Sequence, residues 1–486
     1  MSRYSFAQLA KLSSGWWLGV LLAMLGGCQS ATSLDSAKAV DLPTSFLHAQ
    51  TTEKQPVQRV GAQATSWWHA YASLELNRLV SQALSGNPDL RLARSQLAQA
   101  KIRAEQVAAG GLPTLTAPLR AALGSGSGGE ALQNSQAGLQ ASYRIDLWGE
   151  QSAQKQSADQ SVWRATYEHD NFQRTLVGSI VSTYISYLSL SDSLAIADEN
   201  ERISRDMLGT VERRLAAGDA TLDDLERQRA VVYQQQAVRP GLKNQRDDLH
   251  NVLSRLLGVL PSELEITGGT VEQLSAPSLH AGLPSHLLFN RPDIRGVEAR
   301  MRSAQANIAV ARARLLPPVD LAVQGGYNGL GLGQLLQPQN IFWNSVASLA
   351  VTIFDGGRRA ADTALAQAAY EDMVITYGQT VYQAVREVES ALSGLRAAQQ
   401  RLEAQQLGHR SALNAFKISS DAYALGALDL GSLLDARRAY QRNLEEQQRS
   451  KADMLRAYAA LSQALGGSGQ ADAVALATTN LSQIGH

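Results

Sequence analysis

Two stretches of the chain alternate apolar and polar residues with a period of two, and each doubles back across a glycine-rich loop. In the first, Leu115, Ala117, Leu119, Ala121 and Leu123 fall on one side and Thr114, Thr116, Pro118, Arg120 and Ala122 on the other. Beyond residues 124–129, Ala137, Leu139, Ala141, Tyr143, Ile145 and Leu147 alternate with Gln136, Gly138, Gln140, Ser142, Arg144 and Asp146. That spacing predicts strands at about 113–124 and 134–148. In the second stretch Val319, Leu321, Val323 and Tyr327 alternate with Asp320, Ala322, Gln324 and Asn328; after a glycine-rich loop, Trp343, Ala347, Leu349, Val351 and Ile353 share one side. Strands are expected there at about 317–328 and 341–355.

Elsewhere the period lengthens to that of a helix. Val374, Tyr377, Val381, Val385, Val388, Leu392 and Leu395 step by three and four, as in a coiled-coil seam. Residues 149–216 and 358–424 contain no proline, so each reads as one helix, on the order of 100 Å long at ~1.5 Å per residue. Gly218 and Gly426 stop them, and returning helices are expected over 222–257 and 430–465. Both turns then lie at a common tip, far from the strands.

The pattern occurs twice. Asn87-Pro-Asp-Leu-Arg91 recurs as Arg291-Pro-Asp-Ile-Arg295, a shift of 204 residues. Leu215-Ala-Ala-Gly218 answers Tyr423-Ala-Leu-Gly426, and Leu256-Leu-Gly258 answers Ala464-Leu-Gly466, each shifted by 208. A duplicated unit of helix, strand, strand, long helix and helix follows, spanning 87–257 and 291–466. Each strand has about the ~10 residues that a tilted strand needs to cross a bilayer, with one face for lipid and one for water. Open sheet edges cannot face lipid, and membrane barrels need about eight strands or more. Four strands per chain therefore demand copies: two would supply eight strands and three would supply twelve.

Charge and cysteine usage narrow the chemistry. Lysines plus arginines equal aspartates plus glutamates at 44 each, which leaves no basic footprint for nucleic acid. The histidines are scattered without metal-ligand spacing, and no Walker loop, GxGxxG or GxSxG occurs. No enzyme activity, cofactor or metal is expected. The one cysteine, Cys28, follows a start with Arg3, Lys11 and a short apolar run over 16–25, too short to span a bilayer. Leu25-Gly-Gly-Cys28 resembles the lipobox of bacterial lipoproteins. That resemblance implies a signal peptide over 1–27, lipidation of Cys28 and, with Gln29 next, sorting to the outer membrane.

Together the residues are similar to those of outer-membrane efflux channels of the TolC/OprM type, in the lipoprotein branch paired with RND pumps. The motifs that carry the likeness are Trp67-Trp68, Asn87-Pro-Asp-Leu90, Tyr143-Arg-Ile-Asp-Leu-Trp-Gly149, Leu283-Pro-Ser-His-Leu-Leu-Phe-Asn-Arg-Pro-Asp-Ile-Arg295, Phe354-Asp-Gly-Gly-Arg358 and Leu433-Leu-Asp-Ala-Arg437. The resemblance implies a mainly α fold with a membrane β-barrel: a homotrimer with a 12-stranded barrel and an α-helical periplasmic tunnel. It implies an equatorial belt from a lipidated segment, 28–86, a linker, 258–290, and a tail, 467–486. It implies a passive exit duct in the cell outer membrane, joined through a periplasmic adaptor (a membrane fusion protein) to an inner-membrane RND-type pump. Tyr423, Asp435 and Arg438 match the positions of the periplasmic gate, while Ala217, Gly218, Leu425 and Gly426 match the adaptor-contact tip. Gly431 and Ser432 depart from the pattern, standing where relatives carry a large apolar residue and an aspartate. A type I protein-secretion duct and a non-channel coiled-coil lipoprotein are the competing readings.

Overall fold

A computed structural model describes residues 43–48, 62–125, 131–277, 284–329, 333 and 335–467. Helix α1 (Leu74–Gly86) is capped by Ser73 and buries Leu76, Leu79, Val80 and Ala83 along one stripe. Asn87 then caps α2 (Pro88–Ala109), with Pro88 in the first turn, where its missing N–H costs nothing. Strands β1 (Thr114–Thr116), β2 (Leu119–Ser125) and β3 (Ala131–Ile145) lead into α3 (Glu150–Ala216), and α4 (Leu222–Leu257) returns. The second half repeats the order: a single turn α5 (Leu287–Asn290), α6 (Pro292–Ala313), β4 (Val319–Gly329), β5 (Ile341–Leu349), α7 (Arg358–Ala424) and α8 (Leu430–Ala464). The two long helices each have 67 residues.

The expected first strand is broken in two, and proline is the reason. Leu115 faces Ala141 and Leu119 faces Ala137, so the register against β3 runs unchanged across the gap. Pro118 has no N–H to give the ladder, although its carbonyl still accepts from Gly138 N at 3.2 Å. β1 and β2 are therefore one strand physically, and the antiparallel order β1/β2–β3–β4–β5 is a four-stranded sheet. The last strand is shorter than the expected 341–355. Its final pair is Leu349 with Val319, where β4 begins after Pro317-Pro318, so residues 350–355 have no partner strand among the described residues.

Each strand-to-helix junction is held by an aspartate of a quoted motif. Asp146 accepts from the Gln151 and Ser152 amides at 3.0 and 2.8 Å, and Asp355 accepts from Gly357 N at 2.9 Å and Arg359 Nε at 2.8 Å. Trp148 Nε1 donates to Pro317 O at 2.6 Å and ties the two repeats together at this level.

The main core lies around the middle of α3. Leu176, Val177, Ile180, Val181, Tyr184, Ile185 and Leu188 pack against α1, Trp68 and Tyr71, the end of α4, the 264–274 segment and α8. Tyr71 Oη donates to Leu455 O at 2.8 Å across 384 residues of sequence. Residues 43–48 lie against α7, where Leu47 N donates to Glu389 Oε1 at 2.6 Å.

The repeated N-P-D and R-P-D motifs do the same work with different chemistry. Asn87 Nδ2 donates to Leu256 O at 2.8 Å, and Arg291 Nη1 donates to Ala464 O at 3.0 Å. Each satisfies a carbonyl at the end of its returning helix, which the helix itself leaves unpaired. Arg291 is buried and also grips Asp293 at 2.6 Å and Glu387 at 2.7 Å. Arg174 of α3 approaches the same Asp293 at 3.8 Å.

Candidate pore wall and closing tip

The register sorts the sheet into two faces. Rows such as Ala141–Val323–Ser345, Tyr143–Leu321–Ala347 and Leu139–Gly325–Trp343 make one face apolar. It has no cover among the described residues: Leu119 is 71% exposed and Trp343 78%. The opposite face carries Thr116, Arg120, Gln136, Gln140, Arg144, Asp320, Gln324, Asn328 and Asn344. Arg144 and Asp320 sit opposite each other and pair at 2.8 Å. Gly138 and Gly326 also face each other; a Cβ on Gly326 would come within 2.2 Å of Ala137 O, so the strands approach there closer than any side chain permits. Among the described residues, the outer edges of β1/β2 and β5 pair with nothing. A sheet with one bare apolar face, one polar face and two open edges is an incomplete wall.

At the other end, both helical hairpins turn alike. Gly218 and Gly426 hold left-handed backbone at φ 81° and 73°, and nothing lies within 4 Å of where a Cβ would be. The turn geometry, not crowding, selects glycine. The amides beyond them close the helix ends, Asp219 N on Arg214 O at 2.8 Å and Ala427 N on Ala422 O at 2.9 Å. Thr221 and Asp224 form a reciprocal cap on α4; Asp429 caps α8 through the Ser432 amide and hydroxyl at 2.9 and 2.6 Å. Those two bonds hold the Asp429 carboxyl below the usual carboxylate range. Ser432 and Gly431 thereby gain a local reason: Ser432 serves the cap, and a Cβ on Gly431 would sit 3.0 Å from the Asp429 carboxylate. Ala217, Gly218, Leu425 and Gly426 are all exposed at the turns, Leu425 to 85%.

The three expected gate residues do not form one cluster. Asp435 and Arg438 pair at 2.6 Å on an exposed face of α8. Tyr423 lies apart from them, under the guanidinium of Arg214 at 5.0 Å from the ring centre. It borders a small apolar cluster of Val211, Leu225, Leu430 and Leu434, so it joins the first hairpin to the second. Sequence reasoning gave Arg437 no role. It is buried at 5% exposure, where it donates to Asn200 O at 3.3 Å, and Gln441 reaches Asn200 Oδ1 at 2.6 Å. Burial pushes its guanidinium below the usual arginine range. Its place in Leu433-Leu-Asp-Ala-Arg437 was the available signal. Cys28 lies outside the described residues. No cluster of potential metal ligands occurs among the described residues.

Comparison with known proteins gives this geometry its setting. The family model for outer membrane efflux proteins matches residues 79–259 and 283–467, one segment for each repeat. The chain is 33% identical over 418 residues to the pyoverdine export outer membrane protein OpmQ of Pseudomonas putida, covering 84% of this chain and 88% of that one. It is 27% identical to the probable outer membrane lipoprotein SilC of Salmonella typhimurium, covering 86% and 90%. Among solved structures, the outer-membrane channel OprN superposes with a TM-score of 0.81 at 26% identity, covering 88% of this chain and 97% of that chain. With both halves matched, the chain belongs to the outer membrane efflux protein family.

Proposed function

We propose that this outer membrane efflux channel works as a homotrimer, lipid-anchored through Cys28, in which three four-stranded sheets close one 12-stranded barrel. The observation that carries this reading is the sheet itself, apolar and uncovered on one face with both edges unpaired. Closure satisfies both edges at once and turns the polar face inward to line a pore. Three copies rather than two follow the family resemblance.

The channel does no chemistry; it conducts small molecules from periplasm to exterior, and a pump in the inner membrane supplies the energy. A periplasmic adaptor docks on the tip turns at Ala217, Gly218, Leu425 and Gly426 and draws the hairpins apart. The polar contacts it must break are cheap. Exposed ion pairs such as Asp435–Arg438 are worth ~0–1 kcal/mol, and a half-buried cation–π contact such as Arg214–Tyr423 about 1–2 kcal/mol.

Purified protein in detergent is expected to have the mass of three chains, to migrate differently on a gel before and after heating, and to conduct ions in a planar bilayer. A one-chain particle without conductance would overturn the reading. So would a water-soluble protein once the acyl anchor is removed, the outcome a structural coiled coil predicts.

A further inference from the structure

The polar face of the sheet carries three charges among its described strand residues: Arg120, Arg144 and Asp320. Two cancel, since Arg144 and Asp320 are paired. Arg120 is exposed and has no hydrogen-bond or ion-pair partner among the described residues. Its row across the sheet is uncharged: it faces Gln136, which in turn faces Asn328. The hairpin's other charged residue between Leu119 and Arg144 is Glu130, in the loop outside the described residues. Five residues of strand, roughly 17 Å, separate Arg120 from the end of β2 at Ser125.

We propose that Arg120 forms a cationic ring inside the barrel that makes the exit selective for anions. This rests on the trimeric barrel proposed above, which sets three copies of Arg120 at one level. Twelve strands at ~4.8 Å spacing and about 40° of tilt give a backbone radius of roughly 12 Å. An arginine side chain spans about half that distance, so its charge lies within about one Debye length, ~8 Å at physiological salt, of the pore axis. Rings of arginine or lysine favour anions in pores, as carboxylate rings favour cations. The paired Arg144 and Asp320 add no net charge, so among the described strand residues Arg120 sets the sign of the polar face. The cargo class that fits is the small anionic molecule.

The test is the reversal potential of the intact, purified channel in a tenfold KCl gradient. Wild type is expected to favour chloride. Arg120→Gln should move the potential toward zero, and Arg120→Glu should move it to the cation-selective sign. Asp320→Asn, which frees Arg144, should shift it further toward chloride. Arg120 points to water, so these variants should keep the trimer band on a gel. Conducting channels whose reversal potential ignores Arg120→Gln and Arg120→Glu would overturn the ring and leave the pore standing. Protein that forms no conducting channel would overturn both.

Discussion

At the scale of single residues, Asn87 and Arg291 show what the duplication kept and what it changed. Both stand at the N-cap position of a helix, where only Asn87 caps with its side chain, and both donate to the end of a returning helix. Asn87 is a neutral cap, and Asn87→Ala should cost about 1–2 kcal/mol. Arg291 is a buried charge between two carboxylates. Removing it leaves Asp293 half-buried without its main partner, a loss of about 3–5 kcal/mol. Thermal unfolding of the detergent-solubilised protein should therefore rank Arg291→Ala well below Asn87→Ala. The same network predicts a pH dependence. Burial pushes the Asp293 carboxyl up, but the bond from Arg291 and the charges of Arg291 and Arg174 outweigh it, so the group sits below the usual carboxylate range. A depressed carboxylate stabilises the folded state above its unfolded pKa, ~3.9, and that contribution is lost as pH falls through the lower folded value. The melting temperature of wild type should lose this contribution only below about pH 4, and Asp293→Asn should lack that loss.

At the scale of elements, the tip is two self-sufficient hairpins joined by a small apolar cluster, with exposed polar contacts around it. Each has its own Schellman-type turn and N-cap, so separating them melts nothing. Asp435→Ala and Arg214→Ala should each raise the resting conductance in a planar bilayer. A contact of ~1 kcal/mol changes an open population about fivefold. Conductance unmoved by either change would remove that residue from the gate. The hairpins were legible in the sequence almost to the residue: α7 runs over the expected 358–424, and α4 over the expected 222–257. Uninterrupted helical period and glycine stops are local signals, and local signals can be read from one sequence. The partner of Tyr423 was not legible. Arg214 lies on the other repeat, and nothing in the spacing of either helix brings the two together. Arg437 was hidden for the same reason, since its burial depends on α3 crossing α8. The girdle around α3 joins residues hundreds apart, as Tyr71 and Leu455 are, and leaves no periodic trace. The strand faces sit between these cases. Their alternation was plain, but the break at Pro118 and the end of β5 at Leu349 depend on which hydrogen bonds a neighbouring strand offers.

At the scale of the whole molecule, the two faces of the sheet must meet different solvents, and adjacent residues can test this. Val323 and Gln324 are neighbours near the middle of β4, paired with Ala141 and Gln140 on one side and with Ser345 and Asn344 on the other. Their backbone surroundings are alike; only the face differs. Val323 is half exposed on the apolar face. If that face stands in hydrocarbon, Val323→Arg places a charge near the bilayer midplane at a cost of about 2–4 kcal/mol per chain. In the proposed three-chain barrel the penalty triples on assembly. Gln324→Arg adds the same side chain to the watery side and should cost little, because a lumen residue keeps its hydration. The measurement is the amount of heat-modifiable trimer in the outer-membrane fraction. Val323→Arg should reduce it severely and Gln324→Arg should leave it near wild type. Equal assembly of the two would mean that the apolar face does not meet lipid, and the sheet would then need some other cover for its leucines, valines and Trp343.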